Sequence, residues 1–553
     1  MKWIFTLGFI CFIQCSYSQV YIKNITVADV EKHQLLQGYN VLCQQGKIVS
    51  VTKNALATIP EGIKVIDGTG KFLVPGFTDA HIHFFQSGGI FTRPDVIDLR
   101  KYQPYDEQII QVHANMESLL RSYAHAGITS VIDVGASYRF LAQADTFRNR
   151  AATPEIRITG PLLTTYIPEP YKNLKDKEEA PFELLTTEEG VRAAVKKQIP
   201  LHADFIKIWY IVLDKDKEQG ARKNLPLIKA AIDEAHKNNL RVAVHSTERI
   251  TAQLAVEAGA DFLVHSVDDE IISNEFVQLL KKKNTVLCPT LVVVGNYDKM
   301  LGGNYHFSTE ELSLGDPFAI ASVINYPMPD TVLAARYIKL LSTPEQISRV
   351  KTTDSIMYAN LARLVSAGVT IATGTDAGNI GTQHVSSYFE ELRAMQAAGM
   401  NMWQLLEAST INGAKATGEQ ETLGSVSKNK IANMVLLSAN PLERIENWRK
   451  VDDVIIKGVP YTPESFQLNS PEILVQQQLN AYNAHNLEAF LQPYAEDVEI
   501  YKLPATLETK GKDAMRKNYE FIEKVPTLHC RLVNRIVEGN MVIDHEEVKA
   551  GGR

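Results

Sequence analysis

Leu73-Val74-Pro75-Gly76-Phe77-Thr78-Asp79-Ala80-His81-Ile82-His83 is an apolar, strand-like run that ends on two histidines one residue apart. Residues two apart on a strand point to the same face, so His81 and His83 can grip one ion together. Further residues of metal-ligand type follow in a fixed order. Lys207 lies inside Asp204-Phe205-Ile206-Lys207-Ile208-Trp209, and His245 ends Arg241-Val242-Ala243-Val244. His265 ends Phe262-Leu263-Val264, and Asp376 follows Val369-Thr370-Ile371-Ala372-Thr373-Gly374-Thr375. Taken singly each has an ordinary reading: a chance pair of histidines, a rim lysine, an aspartate capping a helix. The ordered set argues for a site that holds two metals.

Working outward from these runs, strands and helices alternate, which predicts a parallel sheet. Strand candidates surround His81 and continue at 130–134, 155–158, 205–209, 241–244, 262–264, 285–288 and 369–373. Between His245 and His265 a helix over 251–258 is closed by Gly259. Eight such units make an α/β protein of the (β/α)8 TIM-barrel class, expected over 76–414, with catalytic groups at the C-terminal ends of its strands. Short strands before and after it, over 19–75 and 415–461, predict a small flanking β-sandwich domain. Within it, Tyr39 to Cys43 and Gly46 to Val51 suit a hairpin turned at Gln44-Gln45. The stretch 294–355 is too long for an ordinary connection; it reads as a substrate lid or as a helical insertion packed outside. After a polar linker, 472–553 reads as a separate α+β module: helix over 474–494, strand at 498–501, helix over 513–522, strands at 528–536 and 541–543.

The bulk composition excludes several classes. At 553 residues, 45% hydrophobic and 22% charged, the chain is globular and long enough for several domains. A net charge of -7 with no basic stripe leaves no footprint for nucleic acid. Lys2, the apolar run 3–13 and the small residues Ser16 and Ser18 form a signal peptide over 1–18, so an exported protein (periplasmic or extracellular) without a membrane span is expected. The cysteines beyond it, Cys43, Cys288 and Cys530, are too scattered for a disulfide framework or a paired-cysteine metal site.

Three stretches carry a resemblance to a known family: 73–83, Gly127-Ile128-Thr129-Ser130-Val131, and Gly374-Thr375-Asp376-Ala377-Gly378-Asn379. They resemble the amidohydrolase superfamily, in the imidazolonepropionase-like, binuclear branch with a carboxylated lysine. The resemblance implies two divalent metal ions, zinc foremost. His81, His83 and Asp376 would hold one, His245 and His265 the other, with Lys207 bridging as a carbamate. Asp376 would also take the proton of the attacking water. His384, in Gly381-Thr382-Gln383-His384, resembles a loop that touches substrate in such relatives, or else caps the helix after it. Tyr166 and Tyr210 are candidates for the mouth of the site. Dipeptidase-like members carry a Gly-Gly-His segment after the third strand; this chain has Gly160-Pro161-Leu162-Leu163-Thr164-Thr165-Tyr166 there. The C-terminal module resembles the start of the ketosteroid-isomerase-like (SnoaL-like) cone fold, with an open sheet edge where that fold has further strands.

The resemblance implies metal-dependent hydrolysis of an amide-type C–N bond, in a cyclic amide or small N-acyl compound, by a metal-activated hydroxide. The alternatives are a lactonase or phosphotriesterase-like hydrolase, a dipeptidase, and, from another class, a secreted binding protein with a degenerate site. The expected partner is a small-molecule substrate, and self-association is left open.

Overall fold

Parallel strands need a crossover between them, usually a helix, and that alternation organises the molecule. The computed structural model describes residues 19–148, 150–326, 330–467 and 470–549; the expected signal peptide lies outside the described residues. Strands Phe77–Ile82, Ile128–Asp133 and Glu155–Ile158 form one parallel sheet. Phe205–Trp209, Arg241–His245, Phe262–Val264 and Val286–Cys288 lie side by side in a second, bordered by Leu162–Thr164 and Phe182–Leu184. The backbone links the two sheets at both borders. Asp204 N donates to Ile158 O (2.9 Å); on the far side Leu287 N donates to Thr370 O (3.0 Å) and Ala80 N to Thr373 O (2.8 Å). The stretch expected as the eighth strand, 369–373, is therefore bonded on both sides but irregular, with only Ile371 in a bridge.

The helices between these strands begin and end on local signals. Ser273 Oγ accepts from Phe276 N to start Asn274–Lys283, whose last turn carries three lysines against the helix dipole. Arg249–Ala258 stops at Gly259, whose φ of 110° a residue with a Cβ rarely adopts.

The short strands at either end of the α/β region meet in one hydrogen-bonded sheet. Its order is Val459–Tyr461, Val451–Ile456, Met434–Leu437, Phe72–Pro75, Val20–Asp29, Gln34–Gln44 and Lys47–Thr52, with Lys64–Asp67 beside Val20–Asp29. The hairpin turn falls one residue later than expected, on Gln45-Gly46, both at positive φ (52° and 76°) as two-residue hairpin turns require. Gly46 is thus the turn signal. Only Gly76 separates Phe72–Pro75 from Phe77–Ile82, and a Cβ there would collide with the Thr129 side chain.

The 294–355 stretch is helical, in Val293–Leu301, Thr309–Leu314, Pro317–Ile324, Thr331–Leu341 and the start of Pro344–Ala367. It carries the C-terminal module. Leu312, Ile320 and Val323 share one apolar cluster with Ala481, Leu487, Phe490 and Leu491, and Asn480 Nδ2 donates to Pro317 O at 2.6 Å. The module itself runs Pro471–Asn483, Leu487–Leu491, the hairpin Glu499–Lys502 with Thr506–Lys510, then Lys512–Tyr519, Phe521–Lys524 and the hairpin His529–Glu538 with Met541–Lys549. Strand Thr506–Lys510 was not foreseen. Because the insertion buries its apolar face on this module, a chain ending at Tyr461 is expected to keep its metal content but self-associate. Gel filtration beside metal analysis tests this; a monodisperse short chain with an unchanged melting temperature would contradict it.

Candidate metal centre

The expected ligands stand within, at the end of, or just after strands of the linked sheets, so the sheets carry them toward one end. Asp376 Oδ1 lies 3.1 Å from His81 Nε2 and 3.2 Å from His83 Nε2. Asp376 Oδ2 is 4.0 Å from His265 Nδ1. Ligand atoms of His81, His265 and Asp376 all fall within 4.8 Å of one another. The His265 ring sits 4.9 Å from His81 and 4.3 Å from His245, centroid to centroid. Lys207, 1% exposed, feels the charges of Asp376 and Asp133.

Burial disfavours charge throughout this cluster. It pushes His81 down to about 3, and His245 and His265 well below the ordinary histidine value. Lys207 falls to about 7, burial outweighing the pull of Asp376. Burial alone would raise Asp376, but the neighbouring histidines His81, His83 and His265 together hold it well below the usual carboxylate range. The centre is an ionised carboxylate among neutral imidazoles.

Whether these residues suit a cation can be tested on their protons. His83 Nδ1 lies 2.8 Å from Gly135 O. A carbonyl only accepts, so Nδ1 carries a proton, and in the neutral ring Nε2 is the lone-pair nitrogen. That nitrogen faces Asp376 Oδ1 at 3.2 Å, a pair of donor atoms that one cation can share. Both ring nitrogens of His81, and Asp376 Oδ1, are buried without a hydrogen-bond partner. Each such stranded atom costs about 1–3 kcal/mol. Ligand bonds of about 2.0–2.2 Å at near-tetrahedral angles set neighbouring donor atoms about 3.3–3.6 Å apart, slightly wider than the 3.1 and 3.2 Å between Asp376 Oδ1 and the two histidine nitrogens. The imidazole and carboxylate donors fit a divalent ion of the zinc type.

The sequence model of the amidohydrolase family matches residues 72–460, more than half of the chain. The chain belongs to the amidohydrolase family. The SnoaL-like domain model matches residues 475–553. An imidazolonepropionase of Flavobacterium johnsoniae is 29% identical over 143 residues, which is 23% of this chain and 34% of that protein, so the chain spans about a third of that relative. Among solved structures, a prolidase with N-methylphosphonate-L-proline superposes with a TM-score of 0.60 at 22% identity, over 80% of this chain and 100% of that one. The A. niger ochratoxinase gives 0.61 at 20% identity, over 81% and 96%. At these identities the structural likeness is one of α/β fold.

In this amidohydrolase the candidate ligands rest on buried groups that the sequence did not single out. Asp79 accepts from Thr375 N (3.1 Å) and Thr375 Oγ1 (2.9 Å), tying the His81 strand to the Asp376 segment; burial lifts its carboxyl to about 7. Asp133 accepts from Phe84 N and Gly135 N, both at 2.9 Å, and burial pushes it well above the carboxylate range. It therefore fixes the Gly135 carbonyl that orients His83. Thr290 Oγ1, 2.7 Å from His265 Nδ1, orients that ring. Gly374 leaves room for His81 and Cys288, both of which a Cβ would strike. Asp376 itself sits at φ 60°, locked by its N–H to His81 O (2.7 Å) and by Asn379 Nδ2 donating to its carbonyl (2.8 Å). Asn379 Oδ1 accepts in turn from Tyr297 and Arg93, and Arg93 forks onto Asp95. An aspartate inside the strand-like run 130–134 was the one available signal for Asp133; the others are contacts between distant segments.

The remaining candidates fare differently. His384 Nε2 lies 3.0 Å from Gln86 O, so Nε2 donates, and Tyr123 Oη donates to Nδ1 at 2.9 Å. With both nitrogens engaged and burial holding it down to about 4, His384 is a neutral brace between loops rather than a substrate contact. It lines a cavity of about 490 Å³ that opens between Tyr105–His125, the insertion and the C-terminal module. Tyr210, expected at the mouth, is fully buried and donates to Ala221 O at 2.6 Å, inside the helix Lys217–Lys237. The register that points Lys207 and Trp209 to one face turns Tyr210 to the other. Tyr166 is partly exposed, its ring 6.4 Å from that of Trp209.

Proposed function

We propose that this amidohydrolase hydrolyses an amide-type C–N bond, in a cyclic amide or a small N-acyl compound, with two divalent cations. The observation that carries this reading is the convergence of the unshared acceptors of His81, His83 and Asp376 beside a buried Lys207. His81, His83 and Asp376 would hold one cation, and His245 and His265 the other. Such ions supply Lewis acidity to the carbonyl and acidify the attacking water. Asp376, ionised and fixed at both ends of its backbone, takes the water's proton and delivers it to the leaving nitrogen. Lys207, neutral in a large fraction near pH 7, adds through its amine nitrogen to CO2. The amine proton leaves to solvent, and the resulting carbamate would supply anionic oxygens to help hold the cations. In this reading the linked sheets close as a (β/α)8 barrel over 76–414, the flanking strands fold over as a small sandwich, and the pattern over 1–18 directs export.

Elemental analysis of chelator-free protein is expected to give about two divalent metals per chain. Turnover on lactams and N-acyl amino acids should vanish on chelation and return with zinc. Metal-free protein that stays active, or a loaded enzyme that turns over lactones but no amide, would overturn the proposal.

A further inference from the structure

Trp209 ends the strand that carries Lys207 and pairs in register with His245 on one side and Thr164 on the other. Register partners on neighbouring parallel strands share a face, and Lys207, two residues back, shares it too. The indole lies edge-on to the His245 ring, 6.0 Å away. It leans on Phe182 at 4.9 Å and 34°, and on Tyr166 at 6.4 Å and 37°, so each of these rings is moderately tilted against the indole. All three are partly exposed, and close to them along the chain Leu184 and Leu213 are 48% and 65% exposed. Tyr210, the next residue after Trp209, is by contrast wholly buried with its hydroxyl satisfied. Partly open aromatic rings beside His245, itself a candidate ligand, leave apolar surface in water that a bound ring would cover.

We propose that Trp209, Phe182 and Tyr166 form a subsite that takes a planar aromatic substituent of the substrate, next to the group that reacts at the metal centre. An indole face flanked by two further rings favours a flat ring over a branched aliphatic chain, because offset stacking uses the whole face. This assignment rests on the amide-hydrolase reading for its chemistry but not for its test.

Binding of benzoate and of acetate to the metal-loaded full chain, measured by calorimetry, isolates the ring, since both probes present the same carboxylate. Benzoate is expected to bind at least about tenfold more tightly. The ratio should fall toward one in Trp209→Leu and, independently, in the partly exposed Tyr166→Ala, with metal content unchanged. In parallel, N-benzoylglycine should be turned over with a higher kcat/KM than N-acetylglycine. A tenfold ratio without hydrolysis of any amide would sink the amide reading and leave the subsite standing. Equal affinities, no binding of benzoate, or a ratio that survives both substitutions would overturn the subsite.

Discussion

Asp376→Asn is expected to lower kcat by about 10³-fold, within the usual range for removing a positioned general base, while leaving the fold intact. The reason is that the backbone of this residue is held independently of its carboxylate. Its N–H donates to His81 O, and its carbonyl accepts from Asn379, which Tyr297 and Arg93 hold in place. Asparagine fits the same φ of 60° about as well as aspartate does. What it lacks is the acceptor. An amide cannot take the proton from water, and its NH2 would donate toward His81 or His83 where a cation needs a lone pair. The measurement is kcat together with metal content and melting temperature. Wild-type turnover with metals retained would exclude Asp376 as the proton acceptor.

Lys207→Ala is the second large effect: a fall in turnover of about 10²-fold or more, at the upper end of what loss of a residue supporting a metal site costs, with partial recovery on adding acetate or propionate. A lysine that stayed an ammonium would repel cations. Burial at 1% exposure pushes this one down to about 7, so above that pH the amine is neutral and able to react with CO2. The sign follows: reconstitution of stripped protein with zinc and bicarbonate should go further at pH 8 than at pH 6. The alanine variant leaves a gap where a small carboxylate can supply the missing oxygens. Full activity and full metal content in untreated Lys207→Ala would remove the bridge from the mechanism.

The strands that carry the centre were legible because their signal is local. Apolar runs such as 204–209 and 241–244 announce buried parallel strands, and residues of ligand type at their ends stand out against them. The two-residue spacing of His81 and His83 fixes a common face without any knowledge of the fold. Gly259 likewise marks a helix end on its own, since only its backbone conformation is at issue.

Other features depend on which segments meet, and that is decided by packing between residues far apart in the chain. Thr370 and Thr373 bond to strands on both sides, so a stretch that reads as a regular strand bends to bring Asp376 onto His81 and His83. Asp79, Asp133 and Thr290 matter only because Thr375, Phe84 and His265 reach them from other segments. His384 looked free to touch substrate until Tyr123 and Gln86 took both its nitrogens. Tyr210 is drawn away by one residue of strand alternation, which leaves Trp209 beside His245. The sequence by itself determined the order of strands and the ligand types they present, because these follow from periodicity and side-chain chemistry. Only the tertiary structure decided which partners hold each ligand, and that the insertion carries the C-terminal module, because hydrogen bonds and apolar contacts across hundreds of residues leave no trace in local pattern.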